Sequence, residues 1–421
     1  MAKAQVTVPL NIPDVRVLKT EMNQNGELII TIESTKIGTT CRVCGRWISK
    51  SHGYADWVMV RHLPVFGRPT YLRYRPRRYQ CQECEDHPTT VQKLDWHDPY
   101  SRCSFVYEEH VLLELVSSTV RDVSVKERIA YDVVLGILER RGESETDWSK
   151  WSELDVLGID EIALKKGQRN YVTIVTARLQ GERIGLLGVL PERQKDQVVA
   201  FLRTIPQRLS ETIRTVCCDM YEGYIEAVRE ELPQAQIVVD RFHVTRHYHQ
   251  AADQLRQSEL KRLKKELPTE AYQELKGNMW AFRKQPEDLT TEERRVLRRL
   301  FQLAPQLKQA YTLRQQLTAI FDQELPKAVG QQKIRNWIKR VRQSGLKCFK
   351  PFLKTLERWW EEITNYFEER ANSGFVEGLN NKLKVLKRRC YGIFNLVHLF
   401  QRIYLDLEGY RLFAWQPPYM A

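Results

Sequence analysis

Val156-Leu-Gly-Ile-Asp160 and Thr215-Val-Cys-Cys-Asp219 are two short apolar runs, and each of them ends in an aspartate. Continuous apolar runs of this length are typical of buried strands. The segments around them alternate in the order three strands, helix, strand, helix and strand. These elements are predicted over residues 156–160, 171–177, 184–190, 196–205, 215–218, 224–232 and 236–240. The order predicts an α/β fold in which strands and helices share one core.

Asp160 and Asp219 stand where the first and the fourth of these strands end. If those two strands are neighbours in the sheet, the two carboxylates lie side by side. Mg²⁺ prefers a few carboxylate oxygens together with substrate phosphates over a cage made entirely by protein. Two such ions roughly 3.5–4 Å apart can activate the attacking oxygen and stabilise the leaving oxygen in an in-line displacement at phosphorus. The pair therefore predicts a site for two Mg²⁺ ions that acts on phosphate esters.

A third acid has to come from another element, and Glu377 is the candidate. It lies on a predicted closing helix over residues 374–386. Along that helix Glu377 shares a face with Asn380, Asn381, Lys384 and Arg388, because residues three or four apart lie above one another. Such a face can hold a metal at one end and follow a phosphate backbone along the rest. A polar face that is only solvated is the alternative interpretation. The predicted phosphate contacts are Asn380, Asn381, Lys382, Lys384, Lys387, Arg388 and Arg389.

Asp240 competes with Asp219 for the second metal position, since it also ends a predicted strand and runs into Arg-Phe-His243. The fifth strand of such a sheet is not beside the first in the way that the fourth is. We therefore assign Asp219 as the metal ligand. Asp240 and His243 are then accessory residues that position DNA or the leaving group. A purely structural hydrogen bond between the two is the alternative.

Four cysteines form two pairs, Cys41-Arg-Val-Cys44 and Cys81-Gln-Glu-Cys84. Each Cys-x2-Cys turn supplies two of the four ligands that a tetrahedral Zn²⁺ requires. Strand-like sequence separates the pairs, for example at residues 70–75, so the segment predicts a structural zinc ribbon. The alternative interpretation is two accidental pairs of buried thiols.

The ribbon segment also contains several arginines interleaved with tyrosines. Arginines next to aromatic side chains suit contacts to phosphate and to the DNA grooves. A solvated surface is the alternative interpretation. The predicted DNA contacts in this segment are Arg73, Arg75, Arg77 and Arg78.

The period of the apolar residues becomes helical from Phe105 to Arg141, and three helices with a short break predict a helix-turn-helix unit. Ser124-Val-Lys-Glu127 has the form of a capping box. Residues 142–147 are polar and predict a linker. Residues 244–372 lose the strand pattern and predict a helical segment, with Thr290-Thr-Glu-Glu293 as a second capping box.

The chain has 421 residues and carries 66 Lys and Arg against 53 Asp and Glu, a formal net charge of +13. An excess of cations favours a polyanionic partner, because each cation that neutralises a phosphate releases condensed counterions. No apolar run approaches the roughly 18 residues of a membrane span. The N-terminal segment lacks the pattern of a signal peptide, and nine cysteines are an odd number. We therefore expect a cytoplasmic, nucleoid-associated protein without disulfides and without a membrane partner.

Taken together, these motifs resemble the bacterial insertion-sequence transposases that join a zinc ribbon and a helix-turn-helix to a DDE catalytic domain. The resemblance extends from about Cys41 to Tyr404. The residues that carry it are the Cys-x2-Cys pairs with Arg77-Arg-Tyr-Gln-Cys81, Gly158-Ile-Asp-Glu161, Cys217-Cys-Asp219, Val239-Asp-Arg-Phe-His243, Phe375-Val-Glu-Gly-Leu-Asn-Asn-Lys-Leu-Lys384 and Lys387-Arg-Arg-Cys-Tyr-Gly392.

The resemblance implies an RNase H-like fold with a helical insertion before the catalytic helix, and the triad Asp160, Asp219 and Glu377. It also implies hydrolysis at the transposon end, followed by attack of the freed 3′-hydroxyl on target DNA. The ribbon and a recognition helix near Val125–Leu138 would bind terminal inverted repeats. Because two ends must meet, we expect a homodimer or a higher oligomer.

The domain boundaries that follow from this organisation are 1–95 for the ribbon, 96–147 for the helix-turn-helix, 148–243 for the first part of the RNase H-like core, 244–372 for the helical insertion and 373–421 for the catalytic helix and tail. Two other functions remain open. One is a DNA-binding regulator that does not cut, which the intact triad disfavours. The other is a structure-selective nuclease, which would need no reader of terminal repeats.

Overall fold

The computed structural model describes residue 10 and residues 12–163, 171–179, 183–239, 241–275, 278–369, 374–389 and 395–414. The chain divides into two compact units. The first unit contains residues 1–144 and 401–421, and the second contains residues 145–400. The boundary at residue 144 lies inside the predicted linker. The predicted segment 373–421 is shared between the units, because its last part belongs to the first unit.

The first unit begins with short strands that form several small sheets. The largest is a four-stranded sheet in the order β1-β2-β7-β6, whose inner face packs Ile30, Ile32, Val60 and Leu72 into one core. In β7 every second residue is buried, as expected for a sheet with one covered face. The strands are β1 (Val15–Met22), β2 (Leu28–Ser34), β3 (Thr39–Thr40), β4 (Trp47–Ile48), β5 (Ser51–Tyr54), β6 (Val58–Val65), β7 (Arg68–Tyr74), β8 (Arg77–Gln80) and β9 (Thr89–Val91).

Three helices follow, α1 (Phe105–Leu115), α2 (Val120–Glu127) and α3 (Tyr131–Arg141). The turn between α2 and α3 passes through Arg128, which has a left-handed backbone with φ of 54°. The predicted helix-turn-helix is therefore present. Two details of the prediction are wrong. The α2 cap is Thr119, whose Oγ1 accepts from Asp122 N at 2.9 Å, whereas Ser124 lies inside the helix and its Oγ donates to Ile129 O.

The second wrong detail is the recognition helix predicted near Val125–Leu138. That range crosses the turn at Arg128, so its first residues belong to α2 and the second helix of the motif begins only at Tyr131. Val134, Ile137 and Leu138 form the buried side of α3. The predicted recognition helix therefore corresponds to α3.

The second unit is built on a five-stranded sheet in the order β12-β11-β10-β13-β14. Strand β11 is antiparallel to both of its neighbours, β10 and β12, while β13 and β14 run parallel to β10. This is an RNase H-like sheet, and the predicted order of its strands is confirmed. Two bounds differ from the prediction: the first strand continues past Asp160 to Ala163, and two short helices stand where one was predicted over residues 196–205. The elements are β10 (Val156–Ala163), β11 (Tyr171–Arg178), β12 (Ile184–Pro191), α4 (Lys195–Leu202), α5 (Gln207–Ser210), β13 (Thr215–Cys218), α6 (Glu222–Glu231) and β14 (Gln236–Val239).

A helical segment follows β14, and its described residues contain no strand. The capping box at Thr290 and Glu293 is confirmed by reciprocal bonds between side chain and backbone of 3.2 and 2.9 Å. No helix in the described part of the chain is long and apolar enough to span a membrane. The helices are α7 (Arg241–Glu266), α8 (Thr269–Gln273), α9 (Asn278–Arg283), α10 (Thr291–Leu303), α11 (Pro305–Asp322), α12 (Lys327–Gln343), α13 (Lys350–Arg358), α14 (Trp360–Thr364) and α15 (Tyr366–Glu369).

The last two helices are α16 (Gly374–Arg389) and α17 (Leu396–Phe413). Helix α16 packs against β10 and buries Leu379, Leu383 and Leu386, which recur on one side of the helix. The sequence predicted this helix over residues 374–386. Helix α17 crosses into the first unit at Gln401.

The part of α17 that lies in the first unit closes the helix-turn-helix. Leu405 packs into the core that α1, α2 and α3 share. The buried guanidinium of Arg402 donates from Nη2 to Leu115 O at 2.9 Å and to Ser118 O at 2.7 Å. Gln401 Nε2 donates to Leu138 O at 3.1 Å. These bonds add side-chain donors at the C-terminal ends of α1 and α3, where Leu115 O and Leu138 O also accept from the backbone N–H groups of Ser118 and Gly142.

We predict that Arg402→Met destabilises the first unit by about 1–3 kcal/mol, because the carbonyls of Leu115 and Ser118 each lose a charged donor inside the unit. Hydrogen exchange of the amides in α1 and α3 measures this local stability. Arg411→Met is the matched control, since Arg411 is exposed and pairs with Glu408 of its own helix at 2.6 Å. Equal protection of wild type and Arg402→Met would contradict the prediction.

A second buried polar group links α1 to α2. His110 Nε2 lies 3.0 Å from Glu127 Oε1, and Tyr107 OH donates to Glu127 Oε2 at 2.9 Å. The hydrogen bond to Glu127 raises the pKa of His110, and the same contact lowers the pKa of Glu127. Protonation of His110 therefore stabilises the folded state relative to the unfolded state.

The sign of the resulting pH dependence follows from these two shifts. The His110 contribution is complete below the unfolded-state pKa of about 6.5 and is lost as pH rises through the raised folded-state pKa. We expect the stability difference between wild type and His110→Gln to shrink as pH rises above the unfolded-state pKa of about 6.5, as measured by thermal unfolding. Burial lowers the pKa of His62 to about 4, and its destabilising effect at low pH is common to both proteins. A difference that does not change with pH would refute the assignment.

Candidate zinc centre and active site

The four predicted zinc ligands meet at one point. The Sγ atoms of Cys41, Cys44, Cys81 and Cys84 all lie within 4.8 Å of one another. Cys41 Sγ is 4.0 Å from Cys84 Sγ, and Cys44 Sγ is 3.7 Å from Cys81 Sγ. A tetrahedral Zn²⁺ with Zn–S bonds of about 2.3 Å requires sulfurs about 3.8 Å apart. The donor set and its spacing therefore fit Zn²⁺.

The backbone around each pair prepares the site. In the first turn, N–H groups of Cys44 and Val43 point at the Cys41 thiol and lower its pKa to about 6. Burial, together with the other three sulfurs, raises the pKa of Cys84 to about 12. Four thiols this close cannot all ionise unless a cation balances their charge. His87 lies beside the cluster, but its Nδ1 contacts Cys81 O at 3.1 Å.

Two of the predicted DNA-binding arginines are engaged within the first unit. Arg73 Nη2 lies 2.9 Å from Glu21 Oε1, and Arg77 Nη2 lies 2.9 Å from Glu33 Oε1. These pairs join β7 and β8 to β1 and β2. The two guanidiniums therefore stabilise the sheet, and DNA would have to compete with a carboxylate for each of them.

Arg75 and Arg78 are exposed. The guanidinium of Arg75 lies over the rings of Tyr54 and Trp57, at 5.5 and 5.7 Å from their centroids, and Trp57 is itself 56% exposed. A cation held on exposed aromatic faces is suited to phosphate or base contact. This patch is the part of the ribbon surface that matches the predicted chemistry best.

The two predicted aspartates lie on adjacent parallel strands: Asp160 is the fifth residue of β10, and Asp219 directly follows β13. In the pairing of β10 with β13, Ile159 lies opposite Cys218, and Asp160 and Asp219 are the next residues. Neighbouring strands are about 4.8 Å apart, so the two aspartates stand side by side at the carboxyl edge of the sheet. Asp160 is 8% exposed. Each carboxylate accepts from the next backbone N–H, Asp160 from Glu161 N at 2.6 Å and Asp219 from Met220 N at 2.5 Å.

His243 lies in the first turn of α7, and its Nδ1 is 3.2 Å from Asp219 Oδ1. The sequence had suggested Asp240 as its partner. Asp240 lies outside the described residues, although Val239 just before it pairs with Cys218. Burial lowers the pKa of His247, one turn further along α7. The described contact therefore associates His243 with the second candidate ligand.

The predicted phosphate-binding face of α16 is only partly described. The helix contains Glu377 and Asn380, but their side chains lie outside the described residues. Lys387 Nζ donates to Ala163 O at the end of β10, and Lys387 and Arg389 are half-buried. The exposed positions of this face are Asn381, Lys382, Lys384 and Arg388.

Arg193 is a residue at this edge that the sequence patterns did not single out. It follows β12, which runs in the same direction as β10, and it lies 3.4 Å from Glu161 beside Asp160. A basic residue just after the third strand is the signal that could have found it, once β12 was known to end at the same edge.

For the zinc centre, we predict that Cys81→Ser loses about one equivalent of Zn²⁺ per chain and unfolds the ribbon, because a structural zinc contributes folding free energy directly. Metal content after gel filtration and the melting temperature measure the two effects. Cys103→Ser is the control, as Cys103 is also a buried cysteine but stands outside the cluster. Retention of zinc by Cys81→Ser would argue against this site.

Comparison with known proteins agrees with this geometry. The family model of ISL3-type DDE transposases, described as "Transposase", matches residues 157–403, which is more than half of the chain. A second model, the zinc finger of the transposases of IS204, IS1001, IS1096 and IS1165, matches residues 38–84 and includes all four cysteines. The predicted zinc ribbon is confirmed.

The chain is 28% identical over 383 residues to the transposase for insertion sequence element IS1001 of Bordetella parapertussis, covering 91% of this chain and 92% of that relative. It is 24% identical over 394 residues to the transposase for IS1557 of Mycobacterium tuberculosis, covering 88% and 86%. A solved structure, the Drosophila P element transposase strand transfer complex, superposes with a TM-score of 0.39 at 10% identity over 72% of this chain and 91% of that one. With its zinc ribbon and RNase H-like sheet, the chain belongs to the ISL3 family of DDE transposases.

Proposed function

We propose that this transposase cuts DNA at the terminal inverted repeats of its element and joins the freed 3′-hydroxyl to target DNA. The proposed metal ligands are Asp160, Asp219 and Glu377, which would hold two Mg²⁺ ions. The observation that carries the proposal is the parallel register of β10 and β13, in which an aspartate follows each member of the pair Ile159 and Cys218. Helix α16, which contains Glu377, packs against the same β10.

The chemistry of the donor set supports a divalent cation. Two carboxylates side by side on adjacent strands repel each other, and Asp160 is buried, so a cation between them would offset both the repulsion and the loss of hydration. Mg²⁺ at such a site would lower the barrier by activating the attacking oxygen and stabilising the leaving oxygen. The same residues could serve hydrolysis and strand transfer, since both are in-line displacements at phosphorus.

The protein's own groups orient these ligands. The backbone N–H groups of Glu161 and Met220 each bind one oxygen of the preceding aspartate, which restricts rotation of the carboxylates. His243 Nδ1 approaches the same oxygen of Asp219 that Met220 binds. In the proposal His243 is an accessory residue that holds Asp219, and Asp240 is an accessory residue for DNA or the leaving group.

DNA binding is assigned to three surfaces. Helix α3 of the helix-turn-helix would enter the major groove of the terminal repeats. The ribbon would contact phosphates through Arg75 and Arg78, with Arg73 and Arg77 less accessible because of their carboxylate partners. The third surface is the basic side of α16, with Asn380, Asn381, Lys382, Lys384, Lys387, Arg388 and Arg389.

Since two ends are processed together, the active form would be a dimer or a higher oligomer at the nucleoid.

The test is cleavage of a labelled duplex that carries the element's own ends, with Mg²⁺, alongside a measurement of DNA binding. We expect Asp160→Ala, Asp219→Ala and Glu377→Ala to bind normally and to cut at least about a hundredfold more slowly. Asp240→Ala is expected to keep measurable activity. Asp155→Ala is the matched control, because Asp155 immediately precedes β10 at its amino end and pairs with Arg214 at 2.6 Å.

Two results would change the proposal. If Asp240→Ala is inactive while Asp219→Ala cuts, then Asp240 is the second ligand. If the wild type binds its ends but fails to cut them with every divalent metal tested, the chain is a regulator that does not cut.

A further inference from the structure

Arg193 stands at the same edge of the sheet as the proposed metal ligands. Strands β10 and β12 are each antiparallel to β11, so they run in the same direction and their carboxyl ends lie at one edge. Arg193 follows the last residue of β12 by two positions. The topology therefore brings a basic side chain to the edge of the sheet toward which β10 and β13 carry Asp160 and Asp219.

The contacts of Arg193 link it to the neighbours of both aspartates. Its guanidinium carbon lies 5.0 Å from the centroid of the Tyr221 ring and 5.7 Å from that of Tyr171. Its Nη1 lies 3.4 Å from Glu161 Oε2. Glu161 directly follows Asp160, and Tyr221 comes two residues after Asp219. One side chain is thus held between β11, β10 and the residues that follow β13.

The backbone beside Arg193 adopts a conformation that is rare for its residue type. Glu192 has φ of 63°, in the left-handed region that side chains with a Cβ disfavour. Thr173 Oγ1 donates to Glu192 O at 2.7 Å and fixes this turn to β11. Left-handed residues of this kind are often found where a structure orients a functional group. Here the turn leads from the end of β12 to the side chain that reaches across the edge.

The contacts of Arg193 leave its guanidinium accessible to an anion from outside the protein. Its side chain remains 48% exposed, and its contact with Glu161 is a partly exposed ion pair, a type that contributes little to stability. Two aromatic rings can hold the plane of a guanidinium while its N–H groups point outward within that plane. A planar fork of N–H donors matches two oxygens of one phosphodiester.

We propose that Arg193, held by Tyr171 and Tyr221, binds a phosphodiester of the cleaved strand next to the scissile phosphate. This inference rests on the proposed function, because it assumes that the edge with Asp160 and Asp219 is where DNA is cut. Arg193 binds and positions the strand, and it leaves the recognition of the terminal repeats to the first unit.

The experiment uses the full chain with a duplex that carries the element's ends. We expect Arg193→Gln to bind the ends with unchanged affinity and to cut about 10- to 100-fold more slowly, since a strand misplaced by a small distance loses its reactive geometry. Arg193→Lys keeps the charge without the fork and should be intermediate. Arg203→Gln removes an equal charge from the same unit and should cut normally, as Arg203 pairs with Glu230 and Glu231.

A phosphate substitution separates a DNA contact from a structural role. One neutral methylphosphonate is placed in turn at each phosphate near the cleavage site. The wild type should be slowed by the substitution at one position, and Arg193→Gln should be insensitive at that same position. Two results would overturn this inference and leave the proposed function intact. In one, Arg193→Gln cleaves the unmodified duplex at the wild-type rate. In the other, the methylphosphonate slows both proteins to the same extent at every position. Failure of the wild type to cut the unmodified duplex would overturn the proposed function and this inference together.

Discussion

The parallel pairing of β10 with β13 is the interaction on which the second unit depends. Every residue of β13 and the first five of β10 are buried, because helices and neighbouring strands cover both faces of the sheet. Asp160 is itself one of these buried residues, and Asp219 directly follows β13. The same register that aligns Leu157 with Val216 and Ile159 with Cys218 also aligns the two aspartates. A slip of one residue would separate them and would turn every side chain of the strand to the opposite face. Core packing and the arrangement of the site are consequently fixed by one set of hydrogen bonds.

The sequence predicted those features whose cause is local. Apolar runs specified the five strands of the sheet, two Cys-x2-Cys turns specified the zinc centre, and Thr290 with Glu293 specified a helix start. The failures have a different cause. The break between α2 and α3 falls at Arg128, a left-handed residue that is not glycine, and Thr119 rather than Ser124 provides the cap. The helical period of the apolar residues indicates that a break exists, but it fixes neither the position of the break nor the residue that caps α2. Arg193 and Arg402 act through partners that are distant in sequence, so no local pattern could identify them.

The composition also overstates the number of positively charged side chains that are accessible to DNA. The formal charge of +13 counts every arginine equally, yet the structure uses several of them internally. Arg73 and Arg77 join strands through carboxylates, while Arg61, Arg314 and Arg402 are buried. In Arg314 and Arg402 the guanidinium binds backbone carbonyls. A charge count predicts the class of partner, whereas the burial and pairing of each side chain decide which surface can bind it.

Helix α17 has a consequence for the order in which the protein becomes functional during synthesis. The ribbon and helices α1 to α3 leave the ribosome first, but the groups that close the helix-turn-helix, Gln401, Arg402 and Leu405, are made last. The catalytic unit is translated entirely between the two parts of the first unit. A polypeptide that stops before residue 401 would carry the whole helix-turn-helix and still lack these closing groups. The helix-turn-helix therefore acquires its complete set of contacts only after nearly the whole chain has been translated.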